Sequence, residues 1–191
     1  IDEDADGETD YAMLETSTYD LNNRRLTHGS TSDENSDGLW DFFSDYTYTY
    51  NEAGDPVSML WEGDRDGNGS VDSRRTVRYT YDAEGNQTEM VAQEDSNADD
   101  IVDGRYTMTA TYDEDGNCLS ESEAEDEGDD GTIDQVSNRT TTYDAQGNPQ
   151  VQVLEEDYDN DGWLDYRDTT TFTFDDRGYL TTKVTDVDVK G

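Results

Sequence analysis

The chain has 191 residues, with 12 Lys and Arg against 50 Asp and Glu, a formal charge of −38. Leu, Ile, Val and Phe together number 27, too little apolar area for an ordinary globular core, and no stretch approaches the roughly 20 apolar residues of a membrane-spanning helix. The charge has the wrong sign for nucleic acid or an anionic membrane surface, while a single cysteine, Cys118, and a single histidine, His28, exclude an internal disulfide and leave little scope for zinc or histidine chemistry. Against simple disorder stand 13 Tyr and 3 Trp with only 2 Pro.

Self-similarity organises everything else. Tyr19, Tyr50, Tyr81, Tyr112, Tyr143 and Phe174 recur at a spacing of 31 residues, and so do Asp2, Asp33, Asp64, Asp95, Asp126 and Asp157. No insertion breaks the register. The expected organisation is one array over residues 2–187, in units 2–32, 33–63, 64–94, 95–125, 126–156 and 157–187, followed by a tail, 188–191.

Within each unit an acidic loop comes first, then an extended segment, a turn and a second extended segment. In the third unit these are Asp64 to Asp72, Arg74 to Tyr81, Asp82 to Asn86 and Gln87 to Glu94. The first segment alternates with period two, as a strand does. Thr18, Thr49, Thr80, Thr111, Thr142 and Thr173 fall on one face, and the Tyr19-to-Phe174 column falls on the other. The second segment is less regular, with Leu60, Val91, Val153 and Val184 as its clearest apolar column. Asp-x-x-Gly-Asn after a strand predicts a type I turn closed by a left-handed glycine in a G1 bulge. Asn23 stands in for that glycine in the first unit. The predicted fold is therefore all-β: an antiparallel meander of about twelve strands, six β-hairpins in a solenoid-like ribbon, carrying six loops.

The loops follow Asp-x-Asp/Asn-x-Asp/Asn-Gly-x-x-Asp. Ca²⁺ takes six to eight oxygens, and short side chains at loop positions 1, 3 and 5 converge when the backbone wraps an ion. Position 6 needs a sharp turn, position 7 offers its carbonyl, and position 9 closes the site. The expected ligands are Asp2, Asp4, Asp6, Glu8 and Asp10 in loop 1; Asp33, Asn35, Asp37, Leu39 and Asp41 in loop 2; and Asp64, Asp66, Asn68, Ser70 and Asp72 in loop 3. Loop 4 supplies Asp95, Asn97, Asp99, Ile101 and Asp103; loop 5 supplies Asp126, Asp130, Thr132 and Asp134; and loop 6 supplies Asp157, Asp159, Asp161, Trp163 and Asp165. Glu8, Leu39, Ser70, Ile101, Thr132 and Trp163 are position-7 residues, included for their carbonyls. About six Ca²⁺ are expected, which would not cancel the whole charge. Asp100 replaces Gly at position 6 of loop 4 and Gly128 replaces the position-3 ligand of loop 5, so those two sites should be weaker.

This loop resembles the calcium-binding hairpin loops of the integrin α-subunit propeller. The Tyr-Asp-x-x-Gly-Asn hairpin resembles the tyrosine–aspartate repeats of bacterial Rhs-type surface and toxin-shell proteins. That resemblance touches only five or six residues in each unit and implies a bacterial cell-surface or secreted protein, without implying a toxin activity.

Metal binding would couple to folding, because each empty loop gathers mutually repelling carboxylates. Millimolar extracellular Ca²⁺ would fill even weak sites, which argues for an extracellular location. A lone sheet has no inside, so self-association through its edges or faces is expected. Asp188 begins a seventh loop that places Lys190 at a ligand position, while loop 1 has no strand before it. A copy of residues 2–10 from another subunit would continue the pattern past Val187; the other expectation is that the chain, beginning at Ile1, is a stretch of a longer or processed protein. Three function classes come into question: a calcium-stabilised extracellular rod, stalk or filament subunit; an adhesin, or a carbohydrate- or protein-binding module; and an enzyme. No unit breaks the repeat to build a catalytic site, so no enzyme and no catalytic residue are expected.

Overall fold

The computed structural model describes residues 11–35 and 37–189. Twelve strands are present: β1 (Ala12–Tyr19), β2 (Arg25–Asp33), β3 (Phe42–Tyr50), β4 (Pro56–Asp64), β5 (Ser73–Tyr81), β6 (Gln87–Asp95), β7 (Gly104–Tyr112), β8 (Cys118–Glu127), β9 (Gln135–Tyr143), β10 (Pro149–Asp157), β11 (Tyr166–Phe174) and β12 (Leu180–Val189). They form one antiparallel sheet in strict chain order, and the described residues contain no helix. Every odd strand ends on the repeating aromatic and every even strand begins six residues later, so the 31-residue period is the period of the hairpin. The chain divides into two compact units, Ile1–Tyr79 with Ala92–Asp103, and Thr80–Val91 with Gly104–Gly191.

The aspartate after each aromatic builds the turn. Asp82 donates its amide to the Asn86 carbonyl at 3.0 Å, and Gly85 donates to the Asp82 carbonyl at 3.3 Å. The Asp82 carboxylate accepts from the Glu84 amide, the Asn86 amide and the Asn86 side chain at 2.8–3.1 Å. These bonds, the Asn86 side chain first, hold its pKa below the ordinary carboxylate value. The same pattern and the same depression recur at Asp113 and Asp144. The residue two before the second strand is left-handed throughout, from Asn23 at φ 62° to Gly54 at 106°, as the G1 reading expects.

A second irregularity was not foreseen. Thr111 faces Ser120 but Tyr112 faces Cys118, so Leu119 is an extra residue on the second strand. Leu26, Val57, Gln150 and Thr181 are extra in the same way. A bulge of this kind breaks the in–out alternation of its strand, which accounts for the weak pattern of the second segments.

The two faces of the odd strands differ as predicted. Thr49, Thr80, Thr111, Thr142 and Thr173 are exposed, whereas Tyr50, Tyr81, Tyr112, Tyr143 and Phe174 are half-buried. Cross-strand hydroxyl pairs join the exposed face, among them Thr49 with Ser58 and Thr111 with Ser120, both at 2.6 Å. On the other face the tyrosines link consecutive hairpins. The hydroxyls of Tyr50, Tyr112 and Tyr143 donate to the carbonyls of Arg25, Gln87 and Cys118 at 2.8–2.9 Å. Each carbonyl belongs to the first residue of the preceding hairpin's second strand.

Apolar burial is as sparse as composition requires: Val77, Ala92 and Ala110 are the buried hydrophobic residues among those described. The buried polar set is larger and includes Asp33, Asp64, Asp95, Asp126 and Asp157. The last strand runs to Val189, with Arg167 facing Asp188 and Tyr166 facing Val189. This corrects the expected end near Val187; pairing with β11 carries the strand on, as the first loop aspartate is also in strand in the earlier units. Every residue of β12 is exposed.

Candidate metal centre

The loops that join hairpins are built by their own aspartates. Position 9 closes the ring: the amides of Asp41, Asp72, Asp103, Asp134 and Asp165 donate to the carbonyls of Ser32, Gly63, Glu94, Glu125 and Glu156 at 2.7–2.9 Å. The carboxylates of the same residues accept from the position-2 amides of Glu34, Arg65, Ser96, Glu127 and Tyr158 at 2.6–2.8 Å. A Ser96 hydroxyl on Asp103 adds to this and lowers that carboxyl's pKa.

Position 5 turns the other way. Asp37, Asn68, Asp99, Asp130 and Asp161 accept from the position-7 amides of Leu39, Ser70, Ile101, Thr132 and Trp163 at 2.8–2.9 Å. For Asp130 the Thr132 amide is the main cause of a lowered pKa. Position 3, where an oxygen is present, accepts from position 5: Asn35 from Asp37, Asp66 from Asn68, Asn97 from Asp99 and Asp159 from Asp161.

Position 1 is the buried centre. Asp33, Asp64, Asp95, Asp126 and Asp157 are only 4–7% exposed, and the Oδ2 of each accepts the position-6 amide at 2.7–3.1 Å. That amide is aimed inward by a left-handed residue: Gly38, Gly69, Gly131 and Gly162 lie at φ 83–89°, and Asp100 adopts φ 67° in the same place. Asp100 therefore keeps the turn despite its side chain, at the steric cost of that region. Position 4 is left-handed as well (Gly67, Ala98, Asp129 and Asn160 at φ 48–66°). The sequence carried no warning of this, since Ala98 is a poor candidate for such a backbone.

In loops 4, 5 and 6 the other position-1 oxygen accepts the position-5 amide at 3.1–3.2 Å. In loops 2 and 3 it has no partner: Oδ1 of Asp33 and Oδ1 of Asp64 are buried and unsatisfied. A buried carboxylate oxygen without a donor or cation is costly, and most such atoms in folded proteins are paired.

Two groups of three carboxylates lie close enough to hold one cation: Asp64, Asp66 and Asp72 in loop 3, and Asp157, Asp159 and Asp165 in loop 6, with one oxygen from each within 4.8 Å of the others. Positions 1, 3 and 9 thus come together, and position 5 stands outside the acid group of loop 6. Loops 2 and 4 have Asn at position 3 and loop 5 has Gly128, and their acids form no such group among the described residues. In loop 2 the Asn35 amide reaches the Asp41 carboxylate at 3.2 Å, occupying the same place. The ligands expected in loop 1, Asp2, Asp4, Asp6, Glu8 and Asp10, lie outside the described residues.

Arginine in the loops was missed from the sequence. Arg74 bridges Glu62 and Asp100, each at 2.9 Å, and passes 3.8 Å from Asp95. Arg105 bonds Asp129 of loop 5 at 2.7 Å. Glu62 is the first cause of the raised Arg74 pKa, and Asp129 is the first cause of the raised Arg105 pKa. Beside loop 3, where the position equivalent to Arg74 is Phe43, Asp64 lines a cavity of about 270 Å³ together with Phe43, Asp45, Glu62, Gly69, Ser70 and Val71.

No protein-family model matches this chain, and no curated protein sequence matches it. Among solved structures, a porin-like protein from Bacteroides uniformis is similar at 10% identity and a TM-score of 0.27, over 94% of this chain and 91% of that one. The Tc holotoxin pore of Photorhabdus luminescens is similar at 13% identity and a TM-score of 0.22, over 94% of this chain but 14% of that one. No helix among the described residues is long and apolar enough to cross a membrane.

Proposed function

We propose that this chain is a calcium-stabilised structural repeat protein that works outside the cell as a surface rod, stalk or filament subunit. The carrying observation is loop 3. There a buried Asp64 oxygen has no partner, and Asp64, Asp66 and Asp72 each place one carboxylate oxygen within 4.8 Å of the others. Carboxylate and carbonyl oxygens on short side chains are the donor set of a hard cation, and nothing in the loop favours a softer metal. Bound Ca²⁺ would supply positive charge to the buried carboxylate. Asp64, Asp66, Asn68, Asp72 and the Ser70 carbonyl would hold it in loop 3, and Asp157, Asp159, Asp161, Asp165 and the Trp163 carbonyl in loop 6. Loop 2 offers Asp33, Asn35, Asp37, Asp41 and the Leu39 carbonyl.

The role follows from the energetics. With three buried apolar residues among those described, ion binding would add folding free energy that apolar burial supplies only sparingly. Weak sites, with dissociation constants of about 10⁻⁴–10⁻³ M, fill only where calcium is millimolar, which supports an extracellular setting. The exposed strand β12 supports self-association through a sheet edge. A second reading, an adhesive surface, is favoured by Leu39, Ile101 and Trp163, which stand 66–75% exposed at the loop tips. No catalytic role is assigned to any residue.

Size-exclusion chromatography with light scattering, in millimolar Ca²⁺ and in EGTA, tests the reading. Compaction or assembly in Ca²⁺ that reverses in EGTA is expected; one identical compact species in both buffers would remove calcium from the account.

A further inference from the structure

The described loops differ in what approaches them from the preceding hairpin. The second residue of the odd strands from β3 onward is Phe43, Arg74, Arg105, Val136 and Arg167 in β3, β5, β7, β9 and β11. The residue in β5 enters loop 4: Arg74 meets Asp100 at 2.9 Å and Asp95 at 3.8 Å. The residue in β7 enters loop 5: Arg105 meets Asp129 at 2.7 Å. The residues in β3 and β9, which precede loops 3 and 6, are apolar. Those are the two loops with three-carboxylate groups. Among loops 3 to 6, arginine therefore stands where the acid group is incomplete and is missing where it is complete. Loop 2 follows Ala12 at the equivalent position, and its Asp33 oxygen, like that of Asp64, lacks a partner.

We infer that Arg74 and Arg105 are built-in counterions for loops 4 and 5, so that these loops keep their form without metal while loops 2, 3 and 6 require a cation. This rests on the calcium reading for the second class alone; the first class is defined by contacts within the protein. A guanidinium is permanently charged and its N–H bonds to carboxylate are directional, so it holds a loop as an ion would, but without dependence on calcium concentration. The repeat then contains metal-independent loops between metal-dependent ones, and fewer ions bind than there are acidic loops.

Hydrogen exchange by mass spectrometry on the full chain separates the two statements. In EGTA, the amides of residues 99–101 and 130–132 should exchange slowly, and those of residues 68–70 and 161–163 should exchange fast. Arg74→Met should speed exchange in residues 99–101 by about ten-fold or more, the scale of a lost charge-assisted bond, with residues 130–132 unchanged. Glu62→Gln, which removes only the other Arg74 partner, should leave loop 4 protected. Arg74→Lys should lie between. Equal exchange in all four loops in EGTA, or an Arg74→Met chain in which loop 4 stays protected, would overturn the inference. Adding Ca²⁺ should slow residues 68–70 and 161–163. If it does not, while Arg74→Met still opens loop 4 in EGTA, the calcium reading falls and the arginine assignment stands.

Discussion

Replacing Asp66 by asparagine should shift stability in opposite directions with and without calcium. Loops 2 and 4 already carry Asn35 and Asn97 at this position, so the loop backbone accepts the change. Asp66 lies within 4.8 Å of carboxylate oxygens of both Asp64 and Asp72. At the dielectric of water, two unit charges at that separation repel by about 0.9 kcal/mol, and at an effective value near 20 by about 3.5 kcal/mol. Asp66 is exposed, so the lower figure applies, and salt reduces it further. Removing two such repulsions should stabilise the calcium-free protein by about 1–2 kcal/mol. With Ca²⁺ bound, the same substitution removes the attraction of a divalent ion at about 2.4 Å, about 3.5 kcal/mol at water's dielectric. An asparagine carbonyl recovers part of this. The net effect in Ca²⁺ is a loss of about 1 kcal/mol. Urea unfolding midpoints of the native chain and the variant, in EGTA and in millimolar Ca²⁺, read both signs. Shifts of the same sign in the two buffers, or none in either, would refute the reasoning.

Other expectations are equally direct. Tyr143→Phe removes a 2.9 Å hydrogen bond to the Cys118 carbonyl and should cost about 1 kcal/mol in urea unfolding, and an unchanged midpoint would mean the tyrosine link between hairpins is idle. Gly67→Ala would drive a Cβ into the Trp40 carbonyl at φ +66°, whereas Gly38→Ala meets open space at φ +83°; the first should lower the melting temperature well beyond the second, and equal losses would show that backbone strain alone matters. Asp82, Asp113 and Asp144 have pKa values depressed below the ordinary 3.8, so the stability they contribute is full above that value and is lost as pH falls through their folded pKa. Asn51 occupies the same turn position and accepts the Gly54 and Asp55 amides through its side-chain oxygen, so Asp144→Asn should fold normally and lose part of the acid dependence of its unfolding midpoint below pH about 4; an unaltered acid profile would contradict that assignment.

Much of the fold was legible because the repeat converts weak signals into strong ones. One Asp-x-x-Gly-Asn is a modest turn signal, but three in register with three near copies starting at Asp20, Asn51 and Asp175, each after an aromatic with threonine beside it, placed the odd strands and the turns within a residue. The acidic loops stood out for the same reason, and in loops 3 and 6 the aspartates at positions 1, 3 and 9 come together. What escaped was long-range or conformational. The extra residue at Leu26, Val57, Leu119, Gln150 and Thr181 has no compositional mark, since four different residue types occupy it. The left-handed backbone at Ala98 and Asp129 runs against local preference and is imposed by the loop closing on its buried aspartate. Arg74 and Arg105 read as ordinary strand residues because their partners are 26 and 24 residues away. The column was visible, with arginine at 74, 105 and 167 and apolar residues at 43 and 136, but only the structure shows that it points at the loops.

The central claim is that the acidic loops are cation sites, and Trp163 offers a direct probe of one. It occupies position 7 of loop 6, beside the Asp157, Asp159 and Asp165 group. Terbium, which mimics calcium on oxygen donors, should luminesce when tryptophan is excited, and Ca²⁺ should displace it. Trp163→Phe should remove the loop 6 share of that signal without changing the affinity, the remainder coming from Trp40 in loop 2, and Asp157→Asn should weaken binding at loop 6. Sensitised emission that saturates, competes with Ca²⁺ and depends on both residues is the predicted result. Emission absent at any terbium concentration, or present and indifferent to Ca²⁺ and to Asp157→Asn, would contradict the account.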